Sequence, residues 1–438
     1  MMTTTRWRVR CARRVMTAAL SIAAAAPVFA QGVSLATLQR EALDGDPRAR
    51  EIELLRAQSE LRRGNIEAER LPSVTAQAQA QYQSDVARPP ALLPGGAPLF
   101  RPPKDTYDAN LRIDQPVVDR TVAARLAVEQ AQLLESQARV RTGLFALRQE
   151  VNDAFFAALL LQERAGALAA AIGDLEARLE EANVRVREGA ALAADAAAIE
   201  ATLLQRRQDE AELTANRAAA LRRLSKLTGR SLAAADRLER PDLAAAVAEA
   251  RHTSEIHARP EYEQFTRTRG RLARQQTVAA AQEQPRLSAF ARLGYGRPGL
   301  NFISDEFEPY GVAGVQLQWR AWTWGAGRRE REALALQQEI AAADEAAFAR
   351  ALDRAVDADA VSIDRLTEAL ALDDRIIPLR EEIVRANGVR FREGVLTAAE
   401  YVDRTSDLLA ARYARAGHQV ELAQASARLL TTLGLEVR

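Results

Sequence analysis

Between residues 120 and 187 the chain holds a seven-residue period for about eight repeats. Leu126, Leu133, Val140, Leu147, Ala154, Leu161, Leu168 and Leu175 form one seam, and Leu144, Val151, Ala158, Ala165, Ile172, Leu179 and Val186 form a second. That pattern commits the segment to a supercoiled helix packed along its whole length. At 1.5 Å per residue it predicts a rod of roughly 100 Å, many times a globular helix.

The rod is made twice. RVREGAALAADAAA at 185–198 returns as RFREGVLTAAEYVD at 390–403, and the same offset of 205 carries Leu203, Arg207, Leu224 and Gly229 onto Leu408, Arg412, Leu429 and Gly434. Pro72 and Tyr82 meet Pro285 and Tyr295 after a small change of offset. Two repeats are therefore expected, at 31–229 and 261–438, joined by a linker at 230–260. Each reads helix, strand, loop, strand, long helix, turn, helix. In the second long helix Ile363, Leu370, Ile377, Val384 and Phe391 keep one seam, while its partner decays to Asp373, Arg380 and Asn387. Gly173 and Pro378 occupy one register in the two rods, and a bend is expected at each.

The strands show a different period. Val74, Ala76, Ala78, Ala80 and Tyr82 alternate with Thr75, Gln77, Gln79 and Gln81, and Tyr107, Ala109, Leu111 and Ile113 with Asp108, Asn110, Arg112 and Asp114. Strands are expected at about 73–83, 105–118, 286–296 and 309–320. Such alternation suits a half-buried soluble sheet or a barrel with lipid outside and water inside. The proline-rich loop at 87–104, with Tyr82, Phe100, Tyr107, Phe302, Phe307, Tyr310, Trp319, Trp322 and Trp324 near strand ends, favours the barrel. Four strands cannot close in lipid without unsatisfied edges, so the chain must oligomerise. Two copies give eight strands and three give twelve; the glutamine-rich faces favour water inside.

The first thirty residues carry Arg6, Arg8, Arg10, Arg13 and Arg14, an apolar run from Val15 to Ala26, and Val28-Phe29-Ala30 before Gln31, the pattern of a secretory signal peptide. Cys11, the sole cysteine, lies within it, which excludes disulfides and thiol chemistry from the exported chain. Beyond this segment 55 basic residues face 59 acidic ones, a formal charge of about −4 that does not suggest nucleic acid. No later stretch has the roughly 18 consecutive apolar residues of a spanning helix. His252, His257 and His418 have no metal-ligand spacing, and no nucleophile motif or phosphate loop is present, so neither an enzyme nor a cofactor is expected.

Each repeated phrase reads as a hairpin at the far end of its rod. Gly189 and Gly394 directly follow the long helices, where a left-handed cap wants glycine. Thr397 and Glu400 then form a T-x-x-E box that starts the next helix.

With its opening helix SLATLQREALDGDPRAREIELL, the NIEAERLPSV ending, the LRIDQPVVD strand exit, the two RxREG phrases, and LTG and TLG at 227–229 and 432–434, the chain resembles the TolC family of outer-membrane efflux proteins. The resemblance implies a mainly helical fold with a transmembrane β-barrel portion: a homotrimer whose four strands per protomer make a twelve-stranded barrel, continued by an α-barrel of coiled-coil helices. It also implies a place in the outer membrane of a Gram-negative bacterium, a large periplasmic portion, and partnership with a periplasmic adaptor and an inner-membrane pump. The family's tip acids fall on Glu400 and Asp403 in the second hairpin and on Asp195 in the first, as gate residues. Three copies of Glu400 and Asp403 would repel unless a cation or protons intervene. Arg187, Glu188, Gly189, Ala190, Arg392, Glu393, Gly394 and Val395 form the tip that would meet the adaptor. The hydroxyl-bearing aromatic that latches the family's hairpins is replaced by Val186 and Phe391, leaving Arg187, Glu188, Arg392 and Glu393 as candidates for ion pairing or adaptor recognition. The alternative is a periplasmic coiled-coil adaptor or scaffold without a barrel.

Overall fold

The computed structural model of the chain describes residues 32–86, 102–251, 259–301 and 304–437. The signal-like segment at 1–30, most of the proline-rich loop, and His252 and His257 lie outside the described residues. The elements run α1 Leu35–Gly45, α2 Pro47–Ala68, β1 Ser73–Tyr82, β2 Asp105–Val118, α3 Arg120–Arg187, α4 Ala193–Thr228, α5 Ala244–Ala250, α6 Pro260–Gln282, β3 Arg286–Arg297, β4 Glu308–Gln318, α7 Ala326–Arg392 and α8 Ala398–Thr432.

The opening helix is broken in two. Asp46 is extended, its carboxylate accepts the Arg48 N–H, and Pro47 starts α2 where its missing N–H costs nothing. The rods behave otherwise: α3 is one helix of 68 residues and α7 one of 67, and neither stops at Gly173 or Pro378. The most apolar eighteen-residue window of α3 reaches a mean hydropathy of 1.4, enough by composition to cross a membrane. In this fold 33% of that window is buried, Phe155, Phe156 and Leu159 completely, against α1 and α8 among other elements. Each such side chain contributes about 1.5–3 kcal/mol.

The decayed seam of α7 is occupied by polar crossings to α8. Buried Asp359 accepts the Arg428 Nε at 2.5 Å, buried Asp373 meets His418 Nδ1 at 2.7 Å, and Arg380 donates to Asp407 at 2.7 Å. Burial raises the Asp359 carboxyl above its ordinary range, against the opposing pull of Arg428. These pairs fix the register of α7 on α8 at some cost in stability, whereas α3 carries more of its packing in apolar contacts.

Two apolar cores are strung along the molecule. One gathers α1, mid α3, the end of α4, Leu232, Leu238, α5 and the end of α8; the other lies at the hairpins around Leu168, Leu175, Ile199, Phe391 and Tyr401. At the strand end α3 is flanked by α2 and α6, with α7 beyond α6. At the hairpin end it is flanked by α4 and α8, with α7 beyond α8.

The sheet is antiparallel in the order β1-β2-β3-β4. Its register gathers one apolar face, with rows such as Val74–Ile113–Ala291–Ala313 and Ala76–Leu111–Leu293–Gly311, and one mostly polar face, with rows such as Gln77–Asn110–Gly294–Tyr310. On the apolar face Val74, Leu293 and Leu317 are about two-thirds exposed, at 67%, 66% and 67%. Among the described residues β1 and β4 have no outer partner, so the sheet ends in two free edges.

Candidate gate and docking tip

Both hairpins turn through the same backbone device. Gly189 and Gly394 sit at φ 74° and 73°, a left-handed conformation that side chains resist. The Ala190 N–H reaches the Arg185 carbonyl at 2.8 Å and the Val395 N–H that of Arg390 at 2.9 Å, closing a Schellman motif in each repeat. The restarts differ. Thr397 and Glu400 make the full capping box on α8, while α4 begins at Leu192 with no side-chain cap.

Asp195 holds the place in the first hairpin that Glu400 holds in the second, and it does something else. Its Oδ1 accepts the Ala398 N–H at 3.2 Å, so it caps the helix of the other hairpin. Removing it as Asp195→Ala is expected to cost about 1 kcal/mol of local stability. Hydrogen exchange at the Ala398 amide should rise about fivefold, and an unchanged rate would show the bond to be idle.

Glu400 and Asp403 are exposed. The Thr397 amide and hydroxyl both donate to the Glu400 carboxylate and hold it below the usual value of 4.5. A lowered carboxylate contributes its stability at neutral pH and loses it only as pH falls through the lowered value. Glu400 therefore keeps its charge to lower pH than an ordinary glutamate.

Beneath this surface lies the contact that joins the two repeats. Tyr401 is fully buried; its hydroxyl donates to Asp174 Oδ2 at 3.0 Å and accepts from Arg178 Nε at 3.2 Å, both on α3. Burial first, with Asp174 adding to it, pushes the hydroxyl up to about 12, so it remains a donor at any physiological pH. Phe391 stacks on Tyr401, with ring centroids 5.6 Å apart. Arg185 closes the set, donating to the Phe391 carbonyl at 2.9 Å with its guanidinium over that ring. The hydroxyl that Phe391 lacks is thus supplied by Tyr401. Arg187, Glu188, Arg392 and Glu393 make no ion pair within the protomer among the described residues; all four are exposed with Gly189, Ala190, Gly394 and Val395. Arg185 makes the crossing that those four were candidates for. A polar-tipped aromatic directly after the capping glutamate was the available signal for Tyr401.

The sequence model of the outer membrane efflux protein family matches residues 38–230. Among solved structures, one of CusC that concerns folding and transmembrane channel formation is 13% identical, covers 92% of this chain and 92% of that one, and gives a TM-score of 0.69. The outer membrane protein VceC of Vibrio cholerae is 15% identical over 92% of this chain and 97% of that one, with a TM-score of 0.66. The open state of the Neisseria gonorrhoeae MtrE outer membrane channel is 17% identical over 92% and 89%, with a TM-score of 0.65. No curated protein sequence matches significantly. At these identities the structures show the fold, that of outer membrane channels, over most of the chain, and the sequence likeness to the outer membrane efflux protein family covers residues 38–230.

Proposed function

We propose that three copies of this chain form a channel-tunnel that carries solutes from the periplasm, or from an inner-membrane pump, across the outer membrane as the exit duct of a tripartite efflux or type I secretion system. The observation that carries this reading is the four-stranded sheet with an apolar, lipid-type face and two free edges, fused directly to rods of about seventy residues. Joining β4 of one copy to β1 of the next removes both edges. The same junction covers the apolar side chains left exposed along α2, such as Leu54 and Leu61, and along α7, such as Leu336, Ile340, Leu372, Ile376, Leu379 and Ile383. Three copies close twelve strands, leaving a water-filled lumen.

In this assembly the hairpin tips meet on the axis at the periplasmic end. Six carboxylates from Glu400 and Asp403 surround a narrow opening and act as a cation-preferring gate. The exposed turn residues, Arg187 to Ala190 and Arg392 to Val395, are the surface offered to a periplasmic adaptor. Asp195 serves the gate from behind, through its bond to Ala398.

Single-channel recording in planar bilayers tests the reading. The purified protein is expected to be a trimer extracted from outer membrane by detergent, conducting and cation-selective. In a Glu400→Gln, Asp403→Asn variant, where glutamine keeps the cap and the charge is lost, cation preference should fall by at least about threefold. Unchanged selectivity would remove the carboxylate ring. A soluble, monomeric periplasmic protein would favour the scaffold alternative.

A further inference from the structure

The polar face of the sheet contains an arrangement that stability alone does not explain. Arg112 of β2 stands directly opposite Arg292 of β3, which in turn faces Val312 of β4. Like charges directly opposite in an antiparallel pair destabilise it. Arg112 is compensated: it grips Asp114 through three bonds of 2.8–3.0 Å and lies over the Phe290 ring at 5.4 Å. Arg292 is not. Among the described residues it has no carboxylate partner, and its guanidinium only rests over the Tyr310 ring at 5.8 Å.

Tyr310 is seated for this purpose. Gly294 lies opposite it, and a Cβ at 294 would run into the ring, so glycine lets the aromatic lie flat on the wall. The Tyr310 hydroxyl is tied to Asp108, which also takes the Asn110 amide, and Asp114, the acid nearest Arg292 by register, is taken by Arg112. Glu308 on the same face pairs with Gly296, four residues further along β3, roughly 13 Å away at strand rise. What remains is a guanidinium propped on an aromatic plate with its N–H donors unclaimed.

We propose that Arg292, held up by Tyr310 on its glycine seat, is a transit site on the lumen wall for organic anions bearing a carboxylate or sulfonate. The proposal rests on the trimeric barrel reading, which puts this face inside and repeats the site three times at one height. An unpaired guanidinium is weakly hydrated and offers a planar fork matched to such groups. It complements the tip, which favours cations, so the two ends of the duct would sort solutes by opposite chemistry.

The test is blockade of single-channel current by benzoate added on the barrel side of the wild-type trimer, with benzamide as the neutral control. Benzoate should block and benzamide should not. Arg292→Gln should weaken the blocking constant by at least about threefold, while Arg292→Lys keeps part of it. Equal blockade in wild type and Arg292→Gln, or none in the wild type, would overturn the site while leaving the channel intact. Absence of any conducting trimer would remove the barrel reading and this site with it.

Discussion

Replacing Tyr401 by alanine is expected to loosen the hairpin pair by about 3–5 kcal/mol, because it empties a fully buried aromatic site. The loss is not only volume. Phe391 loses its stacking partner, and Asp174 and Arg178 lose the hydroxyl between them. Tyr401→Phe separates the two contributions: it keeps the ring and deletes the hydroxyl, for about 1–2 kcal/mol, a roughly 5- to 30-fold rise in local opening. Single-channel recordings should show more frequent openings in the phenylalanine variant. Limited proteolysis should cut the alanine variant first at the hairpins, where the second core is concentrated. Wild-type gating in Tyr401→Phe would mean that the hydroxyl is merely satisfied, not holding the tip.

The second large effect lies far from the tip. Asn152 on α3 is fully buried and is the hub of a polar chain: Gln39 of α1 donates to it at 2.5 Å, and it donates to Thr431 of α8 at 3.1 Å. Asn152→Leu leaves the buried Gln39 amide without an acceptor and is expected to cost about 2–4 kcal/mol. Adding Gln39→Leu removes the stranded group, and the double variant should regain much of the loss. Thermal inactivation rates of the two variants check this, a readout that does not require reversible unfolding. A double variant no better than the single would show that Gln39 matters by shape and not by its amide.

Much of the architecture could be read in advance because its signals are local and periodic. Seven-residue spacing marked a rod that runs from Arg120 to Arg187, and two-residue spacing marked the sheet whose registered rows divide apolar from polar. The break at Asp46 was also legible in principle: an aspartate followed by proline is both an N-cap and a first helical residue. What sequence reading could not reach were partners brought together by folding alone. Asp373, Arg380 and Asp359 look like defects in a seam until His418, Asp407 and Arg428 arrive from α8. Tyr401 finds Asp174 across 227 residues, and no periodicity links them. Asp195 is a repeat-mate of Glu400 by position, but its bond to Ala398 depends on how one hairpin leans on the other.

That lean bears on how the proposed mouth of the duct would work. Arg185 to Phe391, Asp195 to Ala398 and Tyr401 to Asp174 all join the first repeat to the second inside one chain. Six hairpins around an axis could act as six separate fingers. In the trimer proposed above, hairpins riveted in pairs would form three blades, with the pivots at the seams between subunits. If the proposed assembly holds, such an aperture would widen in steps of a whole subunit, and an adaptor seated on one blade would move two hairpins at once.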